Sequence, residues 1–287
     1  MEPGNDIDRD HDVEEPALCL AGGAGDPMRM KRLVERFAGV AGDGRGVAMI
    51  EFALAAPIIL LLGLGGVEVG NYVLANLRVS QIAMAVADNA GRIRTTMDEA
   101  DVTEIMIGAM KMGEPLSFAA KGRIILSDLE QRTTTTGSGG QGPVSAGNPN
   151  GYRQWFRWQR CAGALAASSS LGVPRNEGGG PITNLDDTTN ADHGAVENVS
   201  TMDGVGTPGK QIAATGGTAV MVVEVIYDYQ PIAPVSLVTA ALGNLTIRRV
   251  LAFNVRERTS YSLRNDGSLT GTKRADCQIY GAAVPTV

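Results

Sequence analysis

Glu51 is the residue whose type and position could do the most chemistry in this sequence. It lies inside an apolar stretch, and from Val47 to Leu77 the only other charged residue is Glu68. A carboxylate inside a lipid bilayer costs several kcal/mol and is usually kept for a function. We therefore interpret Glu51 as a functional residue of a membrane segment.

Catalytic groups are scarce in the rest of the chain. The two histidines, His11 and His193, give neither a metal cluster nor a His-based triad. No phosphate-binding loop, dinucleotide-binding fingerprint or Gly-x-Ser-x-Gly motif occurs. Four aspartates of a glycine-rich stretch lack the spacing of a calcium-binding loop: Asp186, Asp187, Asp192 and Asp203. We expect no catalytic, cofactor-binding or metal-binding residues, and hence a protein that is not an enzyme.

The apolar stretch is long enough to cross a membrane. A membrane helix needs about 20 mostly apolar residues, and residues 47–67 reach that length if Glu51 lies near one boundary. Positive residues beside a span stay in the cytoplasm. Between Met28 and Gly46, just before the apolar stretch, there are two acidic residues and five basic ones. The basic residues are Arg29, Lys31, Arg32, Arg36 and Arg45. We predict a single-pass membrane protein with a cytoplasmic N-terminus.

Pro57 lies within the span and has no backbone N–H to donate, so the carbonyl of Ala53 loses its helical partner. A helix kink at Pro57 is therefore expected. The alternative is that Pro57 has no special role, because proline is frequent in membrane helices.

The residues around Glu51 resemble a known signal. Gly46, four apolar residues, Glu51-Phe52 and a Leu/Ile-rich span look like the class III signal of type IV pilins. The wider stretch, from Arg45 to about Ala90, resembles the TadE/TadG-like proteins of tight-adherence (Tad, Flp) pilus systems. Pro57 and the sequence Glu68-Val-Gly70 also fit that pattern. The chain lacks the Asp-x-Ser-x-Ser motif of the metal-dependent adhesion domain in the larger TadG-type relatives.

This resemblance implies a TadE-like minor pilin or pseudopilin, a structural or assembly component of a type IV (Tad/Flp) pilus. A prepilin peptidase would cut between Gly46 and Val47, so that Glu51 becomes the fifth residue of the mature chain. In related pilins this glutamate neutralises the terminal amine of a neighbouring subunit, which gives Glu51 and Phe52 a role in assembly.

The resemblance also implies partners and a location. The partners are the lipid bilayer, the prepilin peptidase, other pilin or pseudopilin subunits and the inner-membrane pilus platform. The location is the bacterial inner membrane, with the C-terminal domain in the periplasm or, in a pilus, at the cell surface. Nucleic acid is not expected as a partner, because no basic patch with interleaved aromatic residues occurs.

Two alternatives do not require prepilin processing. The first is an uncleaved single-pass anchor that carries a periplasmic binding module. The second is a secretory signal peptide, which is disfavoured because the Ala53-Leu54-Ala55 sequence precedes the most hydrophobic part of the stretch instead of following it.

The predicted fold class is α+β and pilin-like, with a long N-terminal membrane-spanning helix, an amphipathic continuation and a C-terminal antiparallel β-sheet head with long loops. Residues 1–27 carry a net charge of −7, while the whole chain carries −6, so the rest of the chain is close to neutral. This acidic N-terminal part is predicted to be disordered. The predicted parts are a cytoplasmic leader at 1–46 (disordered 1–27, basic 28–46), a transmembrane half-helix at 47–70, helices at 71–112 and a periplasmic head at 113–287 with loops 133–151 and 172–217.

Helical periodicity continues beyond the span. The apolar positions of this predicted amphipathic helix are Val79, Ile82, Ala83, Val86, Ala90 and Ile93. A second helix is predicted to begin at a capping box formed by Thr96 and Glu99 and to end at Gly113. Its apolar stripe is Val102, Ile105, Met106, Ala109 and Met110.

Period-two patterns then predict four strands of an antiparallel sheet: Arg123–Leu129, Tyr152–Arg160, Thr218–Tyr229 and Arg249–Thr259. In the second, simple alternation places Phe156 and Trp158 on one face together with Tyr152 and Gln154. In the fourth strand, the same alternation places Arg258 on the other face of the strand from Val255. A short helix is expected at 234–243.

The three cysteines lie on different sides of the span. Cys161 and Cys277 follow it and Cys19 precedes it. If the C-terminal part is exported to an oxidising compartment, Cys161 and Cys277 are expected to form a disulfide, worth about 4–5 kcal/mol in the chain-entropy model. Cys19 is expected to be free.

Overall fold

The structure is a computed structural model. It describes residues 31, 44–131, 154–174, 181–182, 204–207, 210–215, 217–232, 245–255, 258, 260–267, 269–270 and 273–281. The chain forms two compact units, Met1–Leu62 and Gly63–Val287. The hydrophobic core lies entirely in the second unit. Several earlier expectations fall outside the described residues: the acidic leader, Cys19, the loop at 133–151, the four aspartates of the loop at 172–217 and the helix at 234–243.

Helix α1, Gly44–Arg92, is 49 residues long and continues through Pro57. Its C-terminal part is amphipathic, as the periodicity predicted. Every apolar position expected there is buried except Ile93, which is half-buried just after the helix ends. The buried residues of this part are Ala75, Val79, Ile82, Ala83, Val86, Ala87 and Ala90.

Helix α2, Glu99–Met112, begins two residues later than the predicted capping box of Thr96 and Glu99 implied. Asp98, not Thr96, is the N-cap, and its carboxylate accepts a hydrogen bond from the Ala100 N–H at 3.0 Å. Asp101 completes the capping box by accepting from the Asp98 N–H at 2.9 Å. An aspartate is as good an N-cap as threonine, and the choice of Asp98 leaves Glu99 for another use. The helix ends at Gly113 as predicted.

A short 3₁₀ turn, Glu114–Leu116, and a one-turn helix α3, Phe118–Lys121, lead into the sheet. The four strands are β1 Gly122–Gln131, β2 Gln154–Ala162, β3 Ala219–Asp228 and β4 Thr246–Asn254. All neighbouring strands are antiparallel and their order is β2-β1-β3-β4. The predicted antiparallel sheet and its four strands are therefore confirmed.

The prediction that Phe156 and Trp158 share a face of β2 is wrong. Ser127 pairs with Gln159 whereas Leu129 pairs with Phe156, so β2 has one residue more than β1 at this point. A bulge of this kind reverses the alternation of side chains. Trp158 consequently packs into the core on the helix side of the sheet, and Phe156 packs into a cluster on the opposite side.

The helix-side core joins α1, α2 and the sheet, while two smaller clusters lie on the opposite side of the sheet. Strand β3 is central and contributes to both sides: Met221 and Val223 pack toward the helices, and Val220 and Val222 pack away from them. This explains why β3 is buried along nearly its whole length.

Candidate assembly site

The first half of α1 leaves its apolar side chains exposed. Val47, Phe52 and Leu61 are 55%, 67% and 73% exposed, and their neighbours are similar. By length and composition, α1 is the one helix in the described part of the chain that could cross a membrane. Leaving this much apolar surface in water is unfavourable, and burying it in hydrocarbon fits single-pass membrane anchoring.

The predicted processing and assembly residues all lie on this exposed helix. Gly46 and Val47 are in its first turn, and Glu51, Phe52 and Pro57 follow within the next three turns. The Glu51 carboxylate is exposed and forms no ion pair with any described residue. It is thus accessible to a positive group on another molecule.

Glu68, the second acidic residue of the apolar stretch, ties α1 to the end of strand β3. Its Oε1 accepts a 2.6 Å hydrogen bond from the Tyr229 hydroxyl, and its Oε2 accepts from the Ile232 N–H at 2.9 Å. Asn71, one turn further along α1, donates to the same Tyr229 hydroxyl at 2.7 Å. Tyr72 adds an edge-to-face contact with the Tyr229 ring, with centroids 5.1 Å apart. A carboxylate at this position therefore fixes the strand end to the helix.

Tyr229 is expected to titrate late because of this contact. Burial and the hydrogen bond to Glu68 raise the pKa of Tyr229 to about 12. An unfolded tyrosine has a pKa of about 10, so the corresponding stability is complete below pH ~10 and is lost as the pH rises through the folded-state value. A pH titration of tyrosinate absorbance should show a step near pH 12 that is lost in Tyr229→Phe, while the raised steps of Tyr227 and Tyr261 remain. If the late step persisted in Tyr229→Phe, its assignment to Tyr229 would be wrong.

Two arginines hold the rest of α1. Arg249 of β4 donates to Asn76 Oδ1 at 2.7 Å and to Ser80 Oγ at 3.1 Å. Arg258 donates to the carbonyls of Ala90 at 2.7 Å and Ile93 at 3.1 Å. These carbonyls lie at the C-terminal end of the helix, where such groups lack helical partners and attract positive charge.

The prediction for Arg258 is therefore wrong. Strand β4 ends at Asn254, so the alternation that placed Arg258 on the other face of the strand from Val255 does not extend to it. Its side chain turns back to the helix end and the residue is only 7% exposed.

Glu99 forms a buried charge cluster instead of a capping box. Arg160 Nη2 and Arg274 Nη2 lie 2.6 Å and 2.7 Å from Glu99 Oε1. The side chains are 1–5% exposed. The cluster joins the start of α2 to strand β2 and to the C-terminal segment, which are far apart in the sequence.

In addition to the Glu99 cluster, a disulfide connects the C-terminal segment to β2 and Arg123 of β1 binds that segment. Cys161 and Cys277 form a disulfide, in agreement with the sequence. Arg123 donates to the carbonyls of Gly163, Ile279 and Cys277, each at 2.7 Å. The Arg123 guanidinium also lies 4.3 Å from the centre of the Tyr280 ring, a favourable cation–π contact.

Asp128 of β1 is a buried acidic residue opposite the bulge in β2. Burial raises the pKa of Asp128 well above its usual range, the charge of Glu130 adds to the rise, and Arg258 opposes it. Glu130 is itself held by Arg157, whose Nη1 donates to both carboxylate oxygens at 3.0 Å. The protonated form of Asp128 is thus favoured inside the head.

Comparison with known proteins decides the identity of the helix. The family model described as TadE-like protein matches residues 46–88. Residues 46–88 form a TadE-like domain. No curated protein and no solved structure matches the chain significantly.

The TadE-like domain lies wholly within α1 and includes the sequence-predicted residues Gly46, Val47, Glu51, Phe52 and Pro57. It also includes Glu68, whose contact with Tyr229 sequence reasoning missed. The signal was present, since Glu68 is the only other charge of the apolar stretch, but the sequence does not identify a partner 161 residues away. The family match does not extend to the head.

Proposed function

We propose that the chain is a minor pilin or pseudopilin of a Tad/Flp type IV pilus system, made as a precursor and cut after Gly46. The TadE-like domain supports a component associated with a Tad pilus. The observation that carries the finer proposal is Glu51, an exposed carboxylate in an apolar helix without a partner among the described residues. Cleavage after Gly46 would create a positive amine at Val47, one turn away along the helix.

The chemistry of the proposed assembly follows from this arrangement. In a bundle of apolar helices, an unpaired carboxylate is strongly unfavourable, and an opposite charge in contact offsets much of the penalty. The new amine at Val47 of one subunit and the Glu51 carboxylate of the next would form an ion pair. The exposed apolar side chains of the two helices would pack around the pair and exclude water.

The head has a supporting role in this proposal. Glu68, Arg249 and Arg258 fasten the second half of α1 to the sheet by hydrogen bonds, so that the helix and head of the second unit move together. The proposed partners are the prepilin peptidase, other pilin subunits and the inner-membrane platform. The head would face the periplasm, as the positive residues before the span predict.

The mature N-terminus is the test. We expect mass spectrometry of the protein from native membranes and from sheared surface fractions to show chains that begin at Val47. Gly46→Val should block this cleavage, and Gly70→Ala, an exposed glycine elsewhere in α1, should not. Recovery of only uncleaved chains would overturn the pilin proposal.

Uncleaved chains would favour a second function, a permanently anchored periplasmic binding module. One observation agrees with it: α1 is continuous from Gly44 through Gly46 and Val47. Presence of the cleaved chain in the sheared fraction would, in contrast, place it in the filament.

A further inference from the structure

An open depression of about 230 Å³ lies beside α1 within the second unit. Asn71 and Ala75 of α1 form one wall, and the turn from Pro115 to Ser117 with Lys121 forms another. Tyr227, Tyr229 and Gln230 close it on the sheet side. Pockets for drug-sized molecules are typically 300–1,000 Å³, so this depression fits a small polar group, not a pair of acyl chains.

The depression begins where the apolar span ends. Residues Val47–Val67 as a helix are about 31 Å long, close to the ~30 Å hydrocarbon core of a bilayer. Asn71 is about 6 Å beyond Val67, and Ala75 about 12 Å beyond. The polar layer on each side of a bilayer is about 5–7 Å thick. The α1 wall of the depression therefore begins at the level of the phospholipid headgroups, at Asn71, and continues outward to Ala75.

Side chains that are typical of a membrane interface lie in and around the depression. Three of the six tyrosines of the chain meet here, namely Tyr72, Tyr227 and Tyr229. Tyrosine is enriched where a protein passes from hydrocarbon to water. Ile232, whose N–H binds Glu68, is 67% exposed and adds an apolar side chain at the same place.

Two hydrogen-bond donors of the depression have no described partner. Lys121 forms no ion pair with any described residue, and the Ser117 hydroxyl forms no hydrogen bond with any described residue. The nearby carboxylates are occupied: Glu68 accepts from Tyr229 and Ile232, and Asp228 accepts from Gln230 at 3.2 Å. An ammonium and a hydroxyl are suitable donors to phosphate oxygens.

Ser117 also has an uncommon backbone conformation. It is the one non-glycine residue with positive φ in the described part of the chain, at φ 51° and ψ 39°. Strained residues of this kind often occur at ligand sites. Here the conformation places Ser117 at the turn that forms the wall of the depression.

We propose that this depression binds the phosphate of a phospholipid headgroup in the outer leaflet of the membrane that α1 crosses. Lys121 and Ser117 donate to the phosphate oxygens, because they are the hydrogen-bond donors of the depression without a described partner. The bound lipid fixes the height of the head above the bilayer. The proposal rests on the membrane span and not on cleavage or pilus assembly, so a failure of either can be recognised without the other.

Native mass spectrometry of the full, uncleaved chain in maltoside micelles tests the proposal. The probes are phosphatidylglycerol and a diacylglycerol with the same acyl chains, which lacks the phosphate. We expect retention of one phosphatidylglycerol and weaker retention of the diacylglycerol. A basic residue near an anionic lipid surface is worth about a fivefold change in binding, so Lys121→Gln should lower retention about fivefold, and Ser117→Gly should lower it while keeping the backbone conformation. Lys210→Gln, at an exposed lysine on the other side of the sheet, is the matched control.

Equal retention of the two lipids, or an unchanged retention in both Lys121→Gln and Ser117→Gly, would overturn the proposal. Competition with inorganic phosphate distinguishes a site for a lipid headgroup from a site for free phosphate. If free phosphate displaces the lipid at concentrations similar to the lipid's own, the depression is an anion site and the assignment to a headgroup is wrong. Circular dichroism of each variant verifies that the head remains folded.

Discussion

Glu51→Ala is expected to abolish pilus assembly while leaving membrane insertion intact. Insertion depends on the apolarity of the span, and removal of a carboxylate from it makes insertion easier. Assembly would lose the carboxylate that is proposed to neutralise the amine at Val47 of a neighbouring subunit. An uncompensated charge among packed apolar helices is destabilising by about 3–5 kcal/mol, which is enough to reduce subunit association more than a hundredfold.

Two measurements separate the steps of this prediction. Carbonate extraction of membranes reports insertion, and immunoblotting of the sheared surface fraction reports assembled filament. Glu51→Gln, which keeps the shape and removes the charge, should fail in the same way as Glu51→Ala. Glu104→Ala removes an exposed carboxylate of α2 in the head and should assemble normally. Wild-type amounts of filament in the Glu51→Ala strain would refute the ion-pair mechanism.

Glu99→Ala is expected to lower the free energy of unfolding of the head by about 3–5 kcal/mol, the effect of removing one partner from a buried ion pair. The Arg160 and Arg274 side chains are 2% and 5% exposed. Without Glu99 the two buried guanidinium groups would lose the carboxylate that lies between them and would repel each other. Because a small domain has a total stability of only about 5–15 kcal/mol, the head of this variant should be close to unfolding.

Urea unfolding of the full chain, followed by tryptophan fluorescence, measures this effect, since both tryptophans lie in β2 near Arg160. Glu104→Ala is the matched control, because it is the same substitution at an exposed position of the same helix. An exposed substitution should change stability by no more than about 0.5 kcal/mol. If Glu99→Ala and Glu104→Ala had equal midpoints, the cluster would not stabilise the head.

The elements of the fold were predictable because their signals are local. The apolar stretch around Glu51, the helical periodicity from Val79 to Ala90 and the alternation in β3 each report which side of a segment avoids water. Cys161 and Cys277 were predictable as a pair because they are the two cysteines that follow the apolar span, whereas Cys19 precedes it. None of these inferences requires knowledge of which segments are neighbours.

The errors and omissions concern contacts between distant segments. A single extra residue in β2 moved Trp158 to the other face from Phe156, and a periodic pattern contains no sign of such a bulge. Glu99 was interpreted as a helix cap because Thr96 has the right spacing, whereas its partners are 61 and 175 residues away. Glu68 was noticed as a charge, but its contact with Tyr229 depends on the sheet order.

The sequence by itself determined that an apolar helix with one internal carboxylate precedes an antiparallel sheet, because hydropathy and side-chain periodicity are properties of short segments. Tertiary structure alone decided which charges are paired: Glu68 and Glu99 find partners inside the head, and Glu51 finds none among the described residues. The physical reason is that a buried charge is tolerated only beside an opposite charge or sufficient hydrogen-bond donors, and chain topology decides which of these groups come together.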